Sequence, residues 1–260
     1  MRRGTAIAAA AVLALGLAAC GDDEDDTDEE GAAADDGGTA AGGDNAAFCD
    51  ALVEFNSMAV NLELHEGSSE EEIKAAGEEI APVFQTVADN APEELADTAA
   101  ELNESVQALL EGDSEPFNSD DTFMTYTEMA GQAVDACGFE SIEVTGVDYA
   151  FEGVPATVPA GTVAFEFVNE SDSEEHEMIL VKKAAGVQLS WEELVELPEE
   201  ESESMVEFAG ATFAPPGGSS STFAELSPGE YAMLCFIPVG GAEDGPPHFT
   251  QGMLQELTVE

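Results

Sequence analysis

Apolar side chains recur every three or four positions between residues 45 and 138, which is the spacing of amphipathic helices. Four such runs, joined by short polar stretches, predict four helices in an up-down-up-down bundle. The apolar faces are Phe48, Leu52, Phe55 and Met58 in the first helix, Ile73, Ala76, Ile80, Val83, Phe84 and Val87 in the second, Leu95, Leu102, Val106, Leu109 and Leu110 in the third, and Phe123, Tyr126, Ala130, Ala133 and Cys137 in the fourth.

Local signals mark where these helices begin and end. The pair Ser68-Ser69 is followed three residues later by Glu71-Glu72, which predicts a capping box at the start of the second helix. Pro82 lies inside that helix and predicts a kink or a break, because proline has no N–H to donate. We expect Pro92 as the first residue of the third helix and Gly138 as the cap that ends the fourth.

After residue 138 the pattern changes to short strands separated by turn signals, which is typical of a Greek-key β-sandwich. The strand-like runs are 142–151, 163–167, 176–182, 221–226, 231–237 and 254–259. A capping box at Ser190 predicts one short helix, and residues 199–203 form a solvated acidic stretch. The predicted fold class is therefore multidomain, with an all-α helical bundle at 46–138 followed by an all-β sandwich at 141–260.

The first twenty residues have the composition of a targeting segment. Arg2 and Arg3 precede an apolar run at 7–17 that is too short to span a bilayer comfortably. The run ends in Leu17-Ala18-Ala19-Cys20, which resembles the lipobox of bacterial lipoproteins and implies that residues 1–19 are removed and Cys20 is lipidated. The alternative is an ordinary secretory signal cleaved nearby. We expect a protein outside the cytoplasm, held to the membrane of the bacterial cell envelope by a lipid anchor.

Acidic side chains dominate the whole chain, with 57 Asp and Glu against 5 Lys and Arg and a formal net charge of −52. They are dense in residues 20–45, which contain no large apolar side chain and are predicted to form a disordered tether. Such a charge excludes binding to nucleic acid or to an anionic membrane surface. Two interpretations remain open: docking to a partner with a basic surface, and solvation in a saline habitat.

The four cysteines have different expected roles. In an up-down-up-down bundle, the start of the first helix and the end of the fourth lie at the same end, which is where Cys49 and Cys137 occur. Disulfides persist outside the cytoplasm, so we expect these two to pair. With Cys20 lipidated, Cys235 is the remaining free thiol.

Cys235 belongs to a stretch that also carries His248 and Met253, and His176 opens an apolar strand earlier in the chain. One thiolate, two imidazoles and a thioether together suit a copper ion that alternates between Cu(I) and Cu(II). Zinc is the less favoured metal for the same cysteine and histidines. His65, near the helices and without a neighbouring cysteine, is expected at the surface.

The order of these residues carries a family resemblance. Asn169 before His176, the segment Leu226-x-Pro-Gly-x-Tyr231-x3-Cys235, and His248-x4-Met253 resemble the cupredoxins, the blue copper proteins of the plastocyanin and azurin type. The resemblance covers about 142–260 and implies that His176, Cys235, His248 and Met253 hold one type 1 copper ion. It also implies one-electron transfer, with a redox protein as the partner. The arrangement is similar as well to bacterial lipoproteins that end in a cupredoxin-like domain.

One departure from the family is the loop of twelve residues between Cys235 and His248, which is longer than in the simplest cupredoxins. Two other functions therefore stay open: a protein that sequesters or delivers copper, and a metal-free module for interaction or sensing. No P-loop, nucleophile elbow or zinc-protease motif occurs, and three histidines are too few for a multicopper oxidase. We therefore predict a binding or electron-transfer protein rather than an enzyme.

Overall fold

Four helices open the part of the chain that the computed structural model describes, namely residues 45–59, 61–62, 64, 67–242 and 245–260. They are α1 (Ala46–Ala59), α2 (Glu70–Asn90), α3 (Ala96–Glu111) and α4 (Asp120–Cys137), which confirms the predicted helical region. Four predicted features lie outside the described residues: the signal segment, Cys20, the tether except for its last residue, 45, and His65. Among the described helices, none is long and apolar enough to cross a membrane.

The helix ends follow the predicted signals with two differences. Ser69 caps α2 as predicted, because its side chain accepts from the Glu72 N–H while the Glu72 carboxylate accepts from the Ser69 N–H. Of the kink or break predicted at Pro82, the break does not occur, because α2 continues through Pro82 with buried residues on both sides of it. The third helix begins at Ala96 and not at Pro92, because the Leu95 N–H closes a separate turn on the Pro92 carbonyl.

The last helix ends where the sequence predicted. Gly138 follows α4 in the left-handed conformation at φ 66°, and its N–H donates to carbonyls of the last helical turn. Cys137, the residue before it, forms the predicted disulfide with Cys49. This bond joins residues that are 88 positions apart in the sequence, and it closes the helical layer at one end.

In the described residues after the helices, nine strands form two sheets. They are β1 (Glu140–Val147), β2 (Ala150–Glu152), β3 (Thr157–Val158), β4 (Gly161–Asn169), β5 (His176–Lys183), β6 (Val206–Ala214), β7 (Ser219–Leu226), β8 (Gly229–Leu234) and β9 (Leu254–Val259). The first sheet has the order β2-β1-β4-β7 and the second the order β3-β9-β8-β5-β6. The pairs β1–β4 and β3–β9 are parallel and the others antiparallel. The predicted β-sandwich is confirmed.

Two short helices lie between β5 and β6. They are α5 (Trp191–Val195), capped by Ser190 as predicted, and α6 (Glu199–Glu203), which spans the predicted acidic stretch. Trp191 and Leu194 of α5 pack with Val181 and Leu234 on the outer face of the second sheet.

The helices cover the outer face of the first sheet. Alternation along β7 directs Phe223 toward the helices, where it joins their apolar core, while Ala224 faces the inside of the sandwich. The side-chain amide of the buried Asn56 on α1 donates to the Phe223 carbonyl at 2.8 Å. The helices and the sandwich therefore share core residues.

Candidate metal centre

Three chain segments bring the predicted ligands to one end of the sandwich. His176 is the first residue of β5 and faces inward, whereas Cys235 directly follows β8. The chain returns to Cys235 through backbone hydrogen bonds from Phe249 N to the Cys235 carbonyl (2.8 Å) and from Cys235 N to the Met253 carbonyl (3.3 Å). His248 and Met253 lie on this return segment, and the Met253 N–H donates to the His248 carbonyl.

The ligand atoms of the two histidines and the cysteine converge. The Nδ1 atoms of His176 and His248 are 3.1 Å apart, and the Sγ of Cys235 is 3.4 Å from the Nδ1 of His248. All three ligand atoms lie within 4.8 Å of one another. The backbone N–H of Glu177 donates to the Cys235 sulfur at 3.4 Å. This hydrogen bond would stabilise a thiolate at that position.

The site is closed to solvent. His176, Cys235, His248 and Met253 are each 0% exposed, and Met253 packs in the same apolar cluster as Cys235. Burial, with a smaller contribution from His248, lowers the pKa of His176, and burial lowers the pKa of His248. Both imidazoles are therefore neutral at neutral pH and have a lone pair for a metal.

The thiol responds to burial in the opposite direction. Burial raises the pKa of Cys235 to about 11, so the group is protonated at neutral pH when no metal is bound. A metal ion must displace that proton, because the thiolate is the form that coordinates.

Acidic side chains stand at the outer edges of both imidazoles. The Nε2 of His176 is 3.7 Å from the Oδ1 of Asp148, and the Nε2 of His248 is 3.5 Å from the Oε2 of Glu174. Both Nε2 atoms are buried, and neither makes a hydrogen bond with a described residue. A nearby carboxylate favours a proton on Nε2, which leaves the Nδ1 lone pairs directed at the centre.

Tyr149 completes the cover over His248. It occupies the left-handed region at φ 65°, which is rare for a residue other than glycine, and its ring meets the His248 ring at a centroid distance of 4.9 Å. Asp148, Tyr149 and Glu174 were not predicted as site residues. No motif marks the first two, and the available signal for Glu174 was its position two residues before His176.

Backbone pairing joins the two ends of the long loop between Cys235 and His248. Pro238 and Pro247 face each other in an isolated β-bridge, and the His248 N–H donates to the Ile237 carbonyl at 2.9 Å. The loop therefore leaves the site and returns to it at one place. Its length does not separate the cysteine from the histidine.

These donors fit one metal ion of borderline to soft character. Two imidazole nitrogens and a thiolate, with a buried methionine beside them, form the donor set of a type 1 copper centre. Zinc accepts cysteine and histidine too, but its usual fourth ligand is cysteine, histidine, a carboxylate or water rather than a thioether. The copper prediction agrees with this arrangement.

Comparison with known proteins finds similarity among solved structures. An auracyanin from the photosynthetic bacterium Roseiflexus castenholzii is 26% identical, with 46% of this chain and 96% of that chain covered and a TM-score of 0.32. Auracyanin A, a blue copper protein from Chloroflexus aurantiacus, is 21% identical, with 46% and 98% covered and a TM-score of 0.29. Rusticyanin from Thiobacillus ferrooxidans is 18% identical, with 46% and 78% covered and a TM-score of 0.31. No protein-family model and no curated protein matches the chain.

The strand region thus has both features that the resemblance to cupredoxins implied. It folds into a two-sheet sandwich, and it gathers His176, Cys235 and His248 at one end of that sandwich.

Proposed function

We propose that this chain, whose strand region is cupredoxin-like, is a one-electron carrier that holds one copper ion between His176, Cys235, His248 and Met253. The observation that carries the proposal is the convergence of two Nδ1 atoms and one Sγ within 4.8 Å in a fully buried site. Copper bound by this donor set alternates between Cu(I) and Cu(II).

The chain's own residues support such a role by keeping the site rigid. His176 lies on β5, where its neighbours pair with β6, and Cys235 is fixed through backbone hydrogen bonds to Phe249 and Met253. Ligands that are locked by packing hold the same positions in both oxidation states, which lowers the reorganisation that electron transfer requires. Burial also excludes water, which would otherwise add a ligand in one state only.

Sequestration or delivery of copper is the second candidate function. A protein that passes its ion to another protein needs ligands that the acceptor can reach. All four residues here are 0% exposed, and the carboxylate of Glu174 and the ring of Tyr149 lie over His248. This enclosure favours transfer of an electron over transfer of the ion.

The proposed location is outside the cytoplasm, with the chain held to a membrane through lipidated Cys20. Two observations support it: the lipobox-like segment before Cys20, and the disulfide between Cys49 and Cys137, a bond that persists in oxidising compartments. The partner proposed for this carrier is a redox protein with a basic surface, which the net charge of −52 supports.

The test is to load purified protein with Cu(II) and record its visible spectrum. Charge transfer from the Cys235 thiolate should make the protein blue, and Cys235→Ser should abolish the colour. Met233→Leu is the matched control, since Met233 is also fully buried in the same cluster but has no assigned role at the site.

Voltammetry of the blue protein then separates the two candidate functions. A reversible one-electron wave is the result expected of a carrier, and an irreversible wave would support the storage role. A colourless wild-type protein with bound copper would overturn the proposal.

A further inference from the structure

Among the described residues, several cover the outer edge of the His248 imidazole. His248 is 0% exposed, its Nε2 lies beside the Glu174 carboxylate, and the Tyr149 ring packs against it. The loop adds to this cover, because the Gly240 N–H donates to the same Glu174 carboxylate at 3.0 Å. An exit through an exposed apolar side chain must therefore be sought elsewhere on the surface.

Two aromatic residues directly follow two of the ligands. Phe236 is bonded to Cys235 and is 48% exposed, which is high for a large apolar side chain. Phe249 is bonded to His248. The rings of Phe236 and Phe249 meet edge to face, with centroids 5.1 Å apart. Electron tunnelling weakens steeply with distance, so the surface reached in one covalent step from the thiolate is the favoured exit.

Both rings lie at the end of a groove on the outer face of the second sheet. The groove has a volume of about 570 Å³. It exists because α5 covers only part of that apolar face. We name it the aromatic groove and define it by Ile179, Trp191, Phe208, Leu234, Phe236 and Phe249.

The groove runs from the metal site along β5. Glu177, next to His176, accepts from the Phe236 N–H at one end, and Lys183 lies over the Trp191 ring near the other. Glu177 and Lys183 are six positions apart on the strand, which is about 20 Å. This length and the apolar floor suit a protein surface.

The charges around the aromatic groove favour one kind of partner protein. Glu203 lines the groove, Glu177 lies at its metal end, and Lys183 is paired with Glu230. A second copy of this acidic chain would be repelled, and so would an anionic membrane. A redox protein with an apolar docking face surrounded by lysine or arginine is the complementary occupant.

We infer that the aromatic groove is the docking surface for such a redox partner and that the electron passes between the partner and the copper site through Phe236 and Cys235. The inference rests on the proposed function. One electron leaves the reduced centre and enters the oxidised one, and no bond is made or broken.

The experiment measures the second-order rate of electron exchange between the copper-loaded protein and a lysine-rich cytochrome c by stopped flow. Phe208→Lys places a charge in the groove away from the ligands, and Phe236→Lys does so at the proposed exit. Met124→Lys is the matched control, because Met124 is 42% exposed and lies on α4, which packs on the other sheet. Colour and reduction potential are recorded for every variant.

Both groove variants should lower the rate constant at least about tenfold, while Met124→Lys should change it less than about twofold. A second measurement maps amide shifts of the reduced protein mixed with reduced cytochrome c, and the shifts should centre on Ile179, Phe208 and Phe236. A blue protein whose groove variants react like the control, or whose shifts centre on Tyr149 and Gly240, overturns the docking surface alone. A colourless wild type overturns the proposed function instead.

Discussion

Glu174 connects Gly240 to His248. Its Oε2 accepts a hydrogen bond of 3.0 Å from the Gly240 N–H and lies 3.5 Å from the His248 Nε2. One carboxylate therefore fastens the long loop and faces the outer edge of the imidazole that the loop leads into.

Removing this carboxylate should weaken copper binding. We expect Glu174→Ala to lower copper affinity by about 10–100-fold, because groups that orient a ligand contribute on that scale. Competition against a Cu(I) chelator measures the affinity. Glu175→Ala is the control, since Glu175 is exposed and adjacent. Equal affinities for the two variants would show that Glu174 does not support His248.

Gly146 is required by the packing behind His176. A methyl group there would lie 2.8 Å from the Cζ of Phe167 and 3.5 Å from the Cδ2 of His176. Gly146→Ala should therefore lower the free energy of unfolding by about 1–3 kcal/mol through overpacking, and weaken the blue colour. Urea titration measures the first effect. Gly210→Ala, where the nearest atoms are at 3.6 Å, should cost less, and an equal cost at both positions would contradict this explanation.

The disulfide between Cys49 and Cys137 should contribute much of the stability of the helical layer. Replacing both cysteines by alanine reopens a loop of 88 residues and should cost about 4–5 kcal/mol on the chain-entropy account. Chemical denaturation measures the loss. The copper colour at low denaturant should persist, because neither cysteine belongs to the cluster around Cys235. A loss below about 1 kcal/mol would count against this prediction.

Tyr126 should make the protein sensitive to alkali. Its hydroxyl donates to the buried Asn56 at 2.8 Å, and burial raises the pKa of Tyr126 well above its ordinary value. The unfolded chain then loses a proton, from about pH 10, that the folded chain keeps. Stability is thus full below that pH and falls above it by about 1.4 kcal/mol per pH unit for this group.

Comparison with Tyr126→Phe isolates that effect. The variant lacks the ionisable hydroxyl. Its unfolding free energy should therefore fall less steeply between about pH 10 and 11, and the difference in slope should match the contribution of one ionisable group. At neutral pH it should be less stable by about 1 kcal/mol, because Asn56 loses a hydrogen bond. Parallel pH profiles would contradict the assigned burial of the hydroxyl.

The helices and strands were accessible from the sequence because local patterns determine them. Apolar spacing located four helices, and capping residues such as Ser69 and Gly138 located their ends. The predicted start of α3 was wrong by about one turn. Pro92 satisfies the rule for a first helical residue, and the same residue can also open a turn before the helix, as it does here. Local rules do not distinguish these two cases.

The metal centre was accessible only in part. Cys235 stood out as an unpaired thiol, and its spacing to His248 and Met253 carried the resemblance. Asp148 and Tyr149 reach the site from the turn after β1, which is paired with β4 and lies far from the ligands in the sequence. Their position depends on sheet pairing, which single-sequence patterns do not encode.

Phe223 belongs to the sandwich, yet it packs against Phe139 at the end of the helices, with ring centroids 5.2 Å apart. A fragment that began at β1 would expose this ring and the apolar wall around it to water. Producing the copper-binding half by itself would therefore require new polar residues on that wall. The helices are the layer that keeps this apolar face of the sheet out of water.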